Sequence, residues 1–147
     1  MATLRQFCTF SLAELLLGLE VSHVQEVLRH QEMTSVPLAP QMIRGLINLR
    51  GQIVMAVDLR RRLELSEPPA DLLPMNVVMR TGNGALSLLV DAIHDVIELP
   101  DDALEPPPET LRGAPRRLIR GAYPLHDRLL LCLDADQIVA MTAERPE

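Results

Sequence analysis

Ile43-Arg44-Gly45-Leu46-Ile47-Asn48-Leu49-Arg50-Gly51-Gln52-Ile53-Val54-Met55-Ala56-Val57-Asp58-Leu59-Arg60-Arg61-Arg62-Leu63 decides the fold, because the chain uses this stretch twice. It aligns without a gap on Ile119 to Val139, 76 positions later. Ile43-Arg44-Gly45 returns as Ile119-Arg120-Gly121, Leu49 as Leu125, Ile53 to Val57 as Leu129 to Leu133, and Asp58 as Asp134. Upstream, Leu19 to Val27 aligns with Leu88 to Val96 at an offset of 69, which leaves a seven-residue insertion around Pro106-Pro107-Pro108 in the second copy. Two copies are too few for a solenoid, which needs at least about three. They suit paired subdomains, and small halves bury too little surface to stand alone. The halves are therefore expected to pack tightly and to exchange an element, with function where they meet.

Within the repeated unit, Ile43 to Leu49 and Gln52 to Val57 read as strands around Arg50-Gly51, and Asp58 reads as opening a short helix through Leu63. The second copy reads likewise, with a turn at His126-Asp127-Arg128 and Asp134 opening the final helix. Leu4 to Leu12 and Leu15 to Glu20 are β-type runs joined at Ala13-Glu14. Ser22 with Gln25 has the form of a capping box, and Val21, Val24, Val27 and Leu28 share a helical face, so a helix is expected next. Thr34 to Pro40 reads as an extended strap, because Pro37 and Pro40 bias the residues before them away from helix. Ser66 to Pro74 is a Pro-marked linker, and Asn76 to Arg80 and Ala85 to Val90 form a hairpin across Thr81-Gly82-Asn83-Gly84. The expectation is a mostly β fold of about ten short strands and three brief helices, in small barrels rather than a parallel sheet with long connecting helices.

The chain has 147 residues, the size of one ordinary domain or two very small ones. Apolar residues make up 48% while the aromatics are only Phe7, Phe10 and Tyr123, so aliphatic side chains must fill the core. A formal charge of −6 argues against nucleic-acid binding, which draws its affinity from cations on phosphates. Arg60-Arg61-Arg62 and Arg112, Arg116, Arg117 and Arg120 are read as solvated surface or protein contacts. No run reaches the roughly 18 apolar residues of a membrane span. Met1 to Leu19 lacks the pattern of a secretory signal, so the cytoplasm is the expected location. Cys8 and Cys132 lie far apart without metal-ligand spacing and are read as buried, reduced thiols.

Two carboxylates related by a repeat, Asp58 and Asp134, invite comparison with the proton-sharing pair of an aspartyl hydrolase. That chemistry wants a small, flexible residue after each Asp, whereas Leu59-Arg60 and Ala135-Asp136 follow here. Helix caps are the simpler reading for Ser22, Asp58 and Asp134, the last with Gln137 at the capping-box position. None of His23, His30, His94 and His126 accompanies a nucleophile motif, and Gly82-Asn83-Gly84 lacks the helix and Lys of a phosphate cradle. No catalytic residue, metal site or cofactor is expected. Asn48-Leu49-Arg50-Gly51 stands apart, because a guanidinium on a rigid turn suits either recognition of a partner or a surface salt bridge.

Ile43-Arg44-Gly45-Leu46-Ile47-Asn48-Leu49-Arg50-Gly51-Gln52-Ile53-Val54 with Val57-Asp58-Leu59-Arg60 resembles the signature of the CheW family of chemotaxis adaptors. Val24-Gln25-Glu26-Val27, Val90-Asp91 with Asp95-Val96, and Leu129 to Leu133 with Asp134 resemble its other landmarks, from Phe7 to Val139. The resemblance implies a single domain over residues 1–147, built as two pseudo-repeated five-stranded SH3-like barrels packed side by side. Their expected extents are residues 15–80 and 81–147, with the N-terminal strand shared. It implies no enzyme activity but an adaptor between the regulatory domain of a CheA-type histidine kinase and the cytoplasmic hairpin tips of chemoreceptors, recruited to receptor arrays. Carried over, Val24, Glu26, Asn48, Leu49 and Arg50 would face the receptor, and Gly45 and Leu46 would lie near the kinase contact. A related scaffold of a non-flagellar chemosensory pathway fits the same residues. Two departures from the family pattern are Ala13, where a turn Gly is common, and Met55, where a Pro often interrupts the strand.

Overall fold

The computed structural model describes residues 3–40, 42–82 and 84–142. Its strands are β1 (Leu4–Leu12), β2 (Leu15–Glu20), β3 (Val24–Leu28), β4 (Ile43–Leu49), β5 (Gln52–Asp58), β6 (Met75–Thr81), β7 (Gly84–Val90), β8 (Ala92–Pro100), β9 (Ile119–Pro124) and β10 (Leu129–Leu133). Helix α1 spans Ala114–Leu118 and helix α2 Ala135–Thr142, with 3-10 turns at Val21–His23 and Asp101–Ala103. Asn83, placed by the sequence in the β6–β7 turn, lies outside the described residues.

Each repeat contributes five strands in order, β1 to β5 and β6 to β10, yet neither repeat forms its own sheet. One sheet runs β8-β1-β2-β10-β9 and the other β3-β6-β7-β5-β4. The leading hairpin of each repeat has crossed to the other repeat's sheet. The parallel pairs β2–β10 and β5–β7 accordingly occupy equivalent places. Sheet membership changes between Glu20 and Val24 and again between Val90 and Ala92, not near residue 80. The whole β1–β2 hairpin crosses, where the sequence suggested one shared strand.

Burial follows this exchange. One large cluster joins both sheets through Phe10, Leu17 and Leu19 on one side and Val57, Met79 and Leu88 on the other. Smaller clusters fill the curl of each sheet, around Ile47, Val54 and Val78 and around Phe7, Tyr123 and Leu130. Apolar burial is the main favourable term in folding, so a shared cluster makes the two units fold as one.

The expected barrels are sheets whose seams stay open, each bridged through the backbone by one isolated residue pair among the described residues. Thr34, in the extended strap, exchanges two backbone hydrogen bonds with Leu46 at 2.9 and 2.8 Å; Glu105 does the same with Ala122 at 2.8 and 2.9 Å. The repeated glycine belongs to this bridge. A Cβ on Gly45 would lie 2.8 Å from the Thr34 carbonyl oxygen, and one on Gly121 would lie 2.6 Å from that of Glu105. Glycine recurs in both copies because the strap passes directly over the strand.

Three expected helical features change. The stretch after Ser22 is a strand, β3, paired with β6 through Val24, Glu26, Val27 and Leu28. Val24 and Val27 are β-branched, and a run this short fits both periods, so pairing decides the outcome. Ser22 caps nothing: the 3-10 turn begins after Glu20 and has no side-chain cap bond. Asp58 ends β5 and is followed by a single turn, with the Leu63 amide donating to the Leu59 carbonyl at 2.9 Å and Glu64 closing it at φ 58°. One turn does not repay helix nucleation unless more follow. In the second copy the helix does propagate as α2, which buries Ile138 and Met141.

Candidate functional site

The β4–β5 hairpin turns over two residues, with Leu49 opposite Gln52. Arg50 and Gly51 have φ of 51° and 89°, the positive pair that a tight hairpin with right-handed strand twist demands. Gly51 meets this without a Cβ; Arg50 is strained there. The Asn48 carboxamide oxygen compensates by accepting the Gly51 amide at 2.9 Å. Asn48-Leu49-Arg50-Gly51 is thus a rigid tip, and it aims Arg50, 69% exposed in its side chain, at solvent.

Arg50 is not left free. Its guanidinium donates to the carboxylate of Glu26 on β3, across the open seam of the sheet. The structure therefore brings Glu26, Asn48 and Arg50 together at one end of the unit. Val24 and Leu49 are placed differently. Val24 is half-buried against the shared core, and Leu49 is buried inside the curl beside Ile47 and Val54. Leu49 supports the turn from beneath and presents no surface. Gly45 is buried under the strap, whereas Leu46, which pairs with Thr34, keeps part of its side chain accessible.

The outer face of this hairpin escaped the sequence reading. Asn48 lies opposite Ile53 and Leu46 opposite Met55, so Ile53 and Met55 point outward, 60% and 40% exposed. The alternation of Ile53 and Met55 with buried Val54 and Ala56 carries that signal, but the continuous apolar run hides it. A second missed feature is the charge cluster that ties the units together. Arg60, on the turn after β5, donates to the Asp91 carboxylate at 2.7 Å, and the same oxygen accepts the Ala13 amide at 2.8 Å. Asp58 accepts from the Arg60 amide at 2.9 Å and from Arg44 at 3.3 Å. This chain of contacts joins the β1–β2 turn to the end of β5 in the other sheet, so it ties the two sheets together across the crossover.

Asp134 caps α2, with its carboxylate accepting the Gln137 amide at 3.1 Å. Asp58 and Asp134 have separate partners and share no hydrogen bond among the described residues, so they do not form a proton-sharing pair. Cys8 and Cys132 are buried, unbridged, and opposite Leu19 and Gly18 of the intervening β2. Burial pushes both thiols up, that of Cys132 to about 12, the reverse of what a reactive cysteine requires. Among the described residues, no group of three or more His, Cys, Asp or Glu could hold a metal ion, and no helix is long and apolar enough to cross a membrane.

The model of the CheW-like domain matches residues 6–143. The chain belongs to the CheW-like family. Chemotaxis protein CheW of Treponema pallidum (strain Nichols) is 27% identical over 137 residues, covering 90% of this chain and 81% of that protein. Protein FrzA of Myxococcus xanthus is 29% identical over 104 residues, covering 71% and 65% respectively. The crystal structure of scaffolding protein TtCheW from Thermoanaerobacter tengcongensis superposes with a TM-score of 0.79 at 29% identity, covering 91% of this chain and 90% of that one. The two five-stranded sheets are thus those of the CheW-like fold, and the chain is a chemotaxis scaffold rather than an enzyme.

Proposed function

We propose that this chain couples the cytoplasmic hairpin tips of chemoreceptors to the regulatory domain of a CheA-type histidine kinase. The observation that carries the reading is the held but exposed Arg50. Its backbone is locked by Asn48, its side chain is oriented by Glu26, and most of the guanidinium faces solvent. A fork of donors in fixed geometry, beside the apolar Ile53 and Met55, suits a helical partner that offers carboxylates or carbonyls next to apolar side chains. In this reading Glu26, Asn48 and Arg50 meet the receptor, Val24 and Leu49 shape that surface from within, and the kinase domain docks near Leu46, with Gly45 letting the strap close beneath it. Work of this kind belongs in the cytoplasm, at receptor arrays, where several modest contacts add through multivalency.

Arg50→Glu tests it. Titration against a purified receptor hairpin should weaken by about tenfold or more, the scale of a lost charge pair with like charge put in its place. Binding of the kinase regulatory domain should stay unchanged. Equal receptor binding by the variant would remove Arg50 from the contact, and a melting temperature lowered by many degrees would assign Arg50 to structure. A second reading, service in a non-flagellar chemosensory pathway, draws support from the match to FrzA. It uses the same surfaces and differs only in which receptors and kinase they accept.

A further inference from the structure

Two arginine clusters, from different repeats, are left over by the adaptor reading, and the fold brings the segments that carry them to one concavity. Arg61 and Arg62 follow β5, whereas Arg112 and Arg116 flank and enter α1. A surface concavity of about 340 Å³ is lined by Arg61, Arg62, Glu64, the half-buried Leu65 and Ala114, the first residue of α1, over the buried Met42. Arg5, Arg44, Arg50, Arg60 and Arg120 each pair with a carboxylate. Arg61, Arg112 and Arg116 are exposed and have no carboxylate partner among the described residues; Arg116 donates instead to the carbonyls of Pro108 and Leu111, which leave its charge uncompensated. In a chain of net charge −6 this is a local reversal of sign.

We propose that this concavity docks an acidic protein segment, one that sets an aliphatic side chain against Leu65 and Ala114 and its carboxylates against the guanidiniums at the rim. Charge complementarity to the arginines selects an acidic partner, and two features select protein over nucleic acid. The lining has no aromatic ring on which a base could stack, and its apolar part is aliphatic. Planar guanidiniums pair with carboxylates in two-point geometry. The site is separate from the Arg50 turn, since it lies at the opposite end of β5, whose seven residues span about 20 Å at strand rise. An adaptor with this surface could hold a third, acidic component while both other contacts are occupied.

The test uses the full chain and three fluorescent probes: a short peptide of leucines spaced among glutamates, its glutamine-for-glutamate counterpart, and a thymidine oligonucleotide. The glutamate peptide should bind saturably, with affinity falling as salt rises. Arg61→Glu combined with Arg112→Glu should weaken it by about tenfold or more, and Arg50→Glu should leave it unchanged. Unaltered binding in the double variant, equal binding of the glutamine peptide, tighter binding of the oligonucleotide, or no saturable binding of the glutamate peptide would each overturn the proposal. Circular dichroism of the double variant should match the parent, because both positions are exposed.

Discussion

Replacing Gly45 by alanine asks whether the strap bridge closes the first unit. The new Cβ would lie 2.8 Å from the Thr34 carbonyl oxygen, closer than real Cβ atoms come, and 3.1 Å from the Met33 Cβ, a tight contact. The obstacle is backbone, and it is held there by the two hydrogen bonds that Thr34 exchanges with Leu46. To admit the methyl group the strap must lift and loosen both, a loss of about 1 kcal/mol each in net terms. Alanine in a strand recovers about 0.5–1 kcal/mol of backbone entropy. The balance is a destabilisation of about 1–1.5 kcal/mol, or about 2–6 °C in melting temperature for a domain this size. Urea unfolding should give that value, and hydrogen exchange should show faster exchange at the Leu46 amide than in the parent. Gly18→Ala is the comparison: its Cβ would press on the Leu130 side chain at 3.2–3.4 Å and not on a hydrogen-bonded backbone, so it should leave Leu46 exchange unchanged. If Gly45→Ala unfolds at the parent's urea concentration and Leu46 exchanges as before, the steric account of the repeated glycine is wrong.

Asp91→Ala should leave the guanidinium of Arg60, 9% exposed in its side chain, without its charge partner and free the Ala13 amide as well, a loss of about 3 kcal/mol in urea unfolding. Pairing Arg60→Met with Asp91→Leu should recover much of it, and a single variant within about 0.5 kcal/mol of the parent would show that the cluster does not tie the units together. The Cys132 thiol gives a pH dependence of known sign. Its folded value of about 12 lies above the ordinary 9.0, so the folded chain keeps a proton that the unfolded chain releases. The associated stability is complete below pH 9 and disappears as pH rises toward 12. Melting temperature should fall less between pH 8 and 10.5 in Cys132→Ala than in the parent, by about 1 °C or more; identical falls would contradict the burial of this thiol.

Much of the architecture was legible in the sequence because the repeat is a geometric statement. The offset pairs Gly45 with Gly121 and Ile53 to Val57 with Leu129 to Leu133, and these positions prove equivalent in the two sheets. The Ala13-Glu14 and Arg50-Gly51 turns were readable for the same local reason, since turn chemistry is set by neighbouring residues. The crossing of whole hairpins was not readable. Strands β2 and β7 have apolar faces that either sheet could bury, and only the parallel pairings with β10 and β5 decide which does. The segment after Ser22 misled because Val24, Val27 and Leu28 satisfy helical spacing while the long-range partner, β6, lies some fifty residues away. At the candidate site, Asn48 and Arg50 were legible as an exposed turn. The Glu26 partnership was not, because it crosses a seam that exists only after the sheet curls, and the burial of Leu49 depends on the same curl.

In the proposed role, one molecule of this chain holds kinase and receptor at once. Sedimentation velocity of the chain with the regulatory domain of the cognate CheA-type kinase and a receptor signalling hairpin measures this. A complex heavier than either binary mixture should form, and Arg50→Glu should remove the receptor from it while the kinase domain stays bound. Displacement of one partner by the other, with no ternary boundary at any concentration, would contradict it.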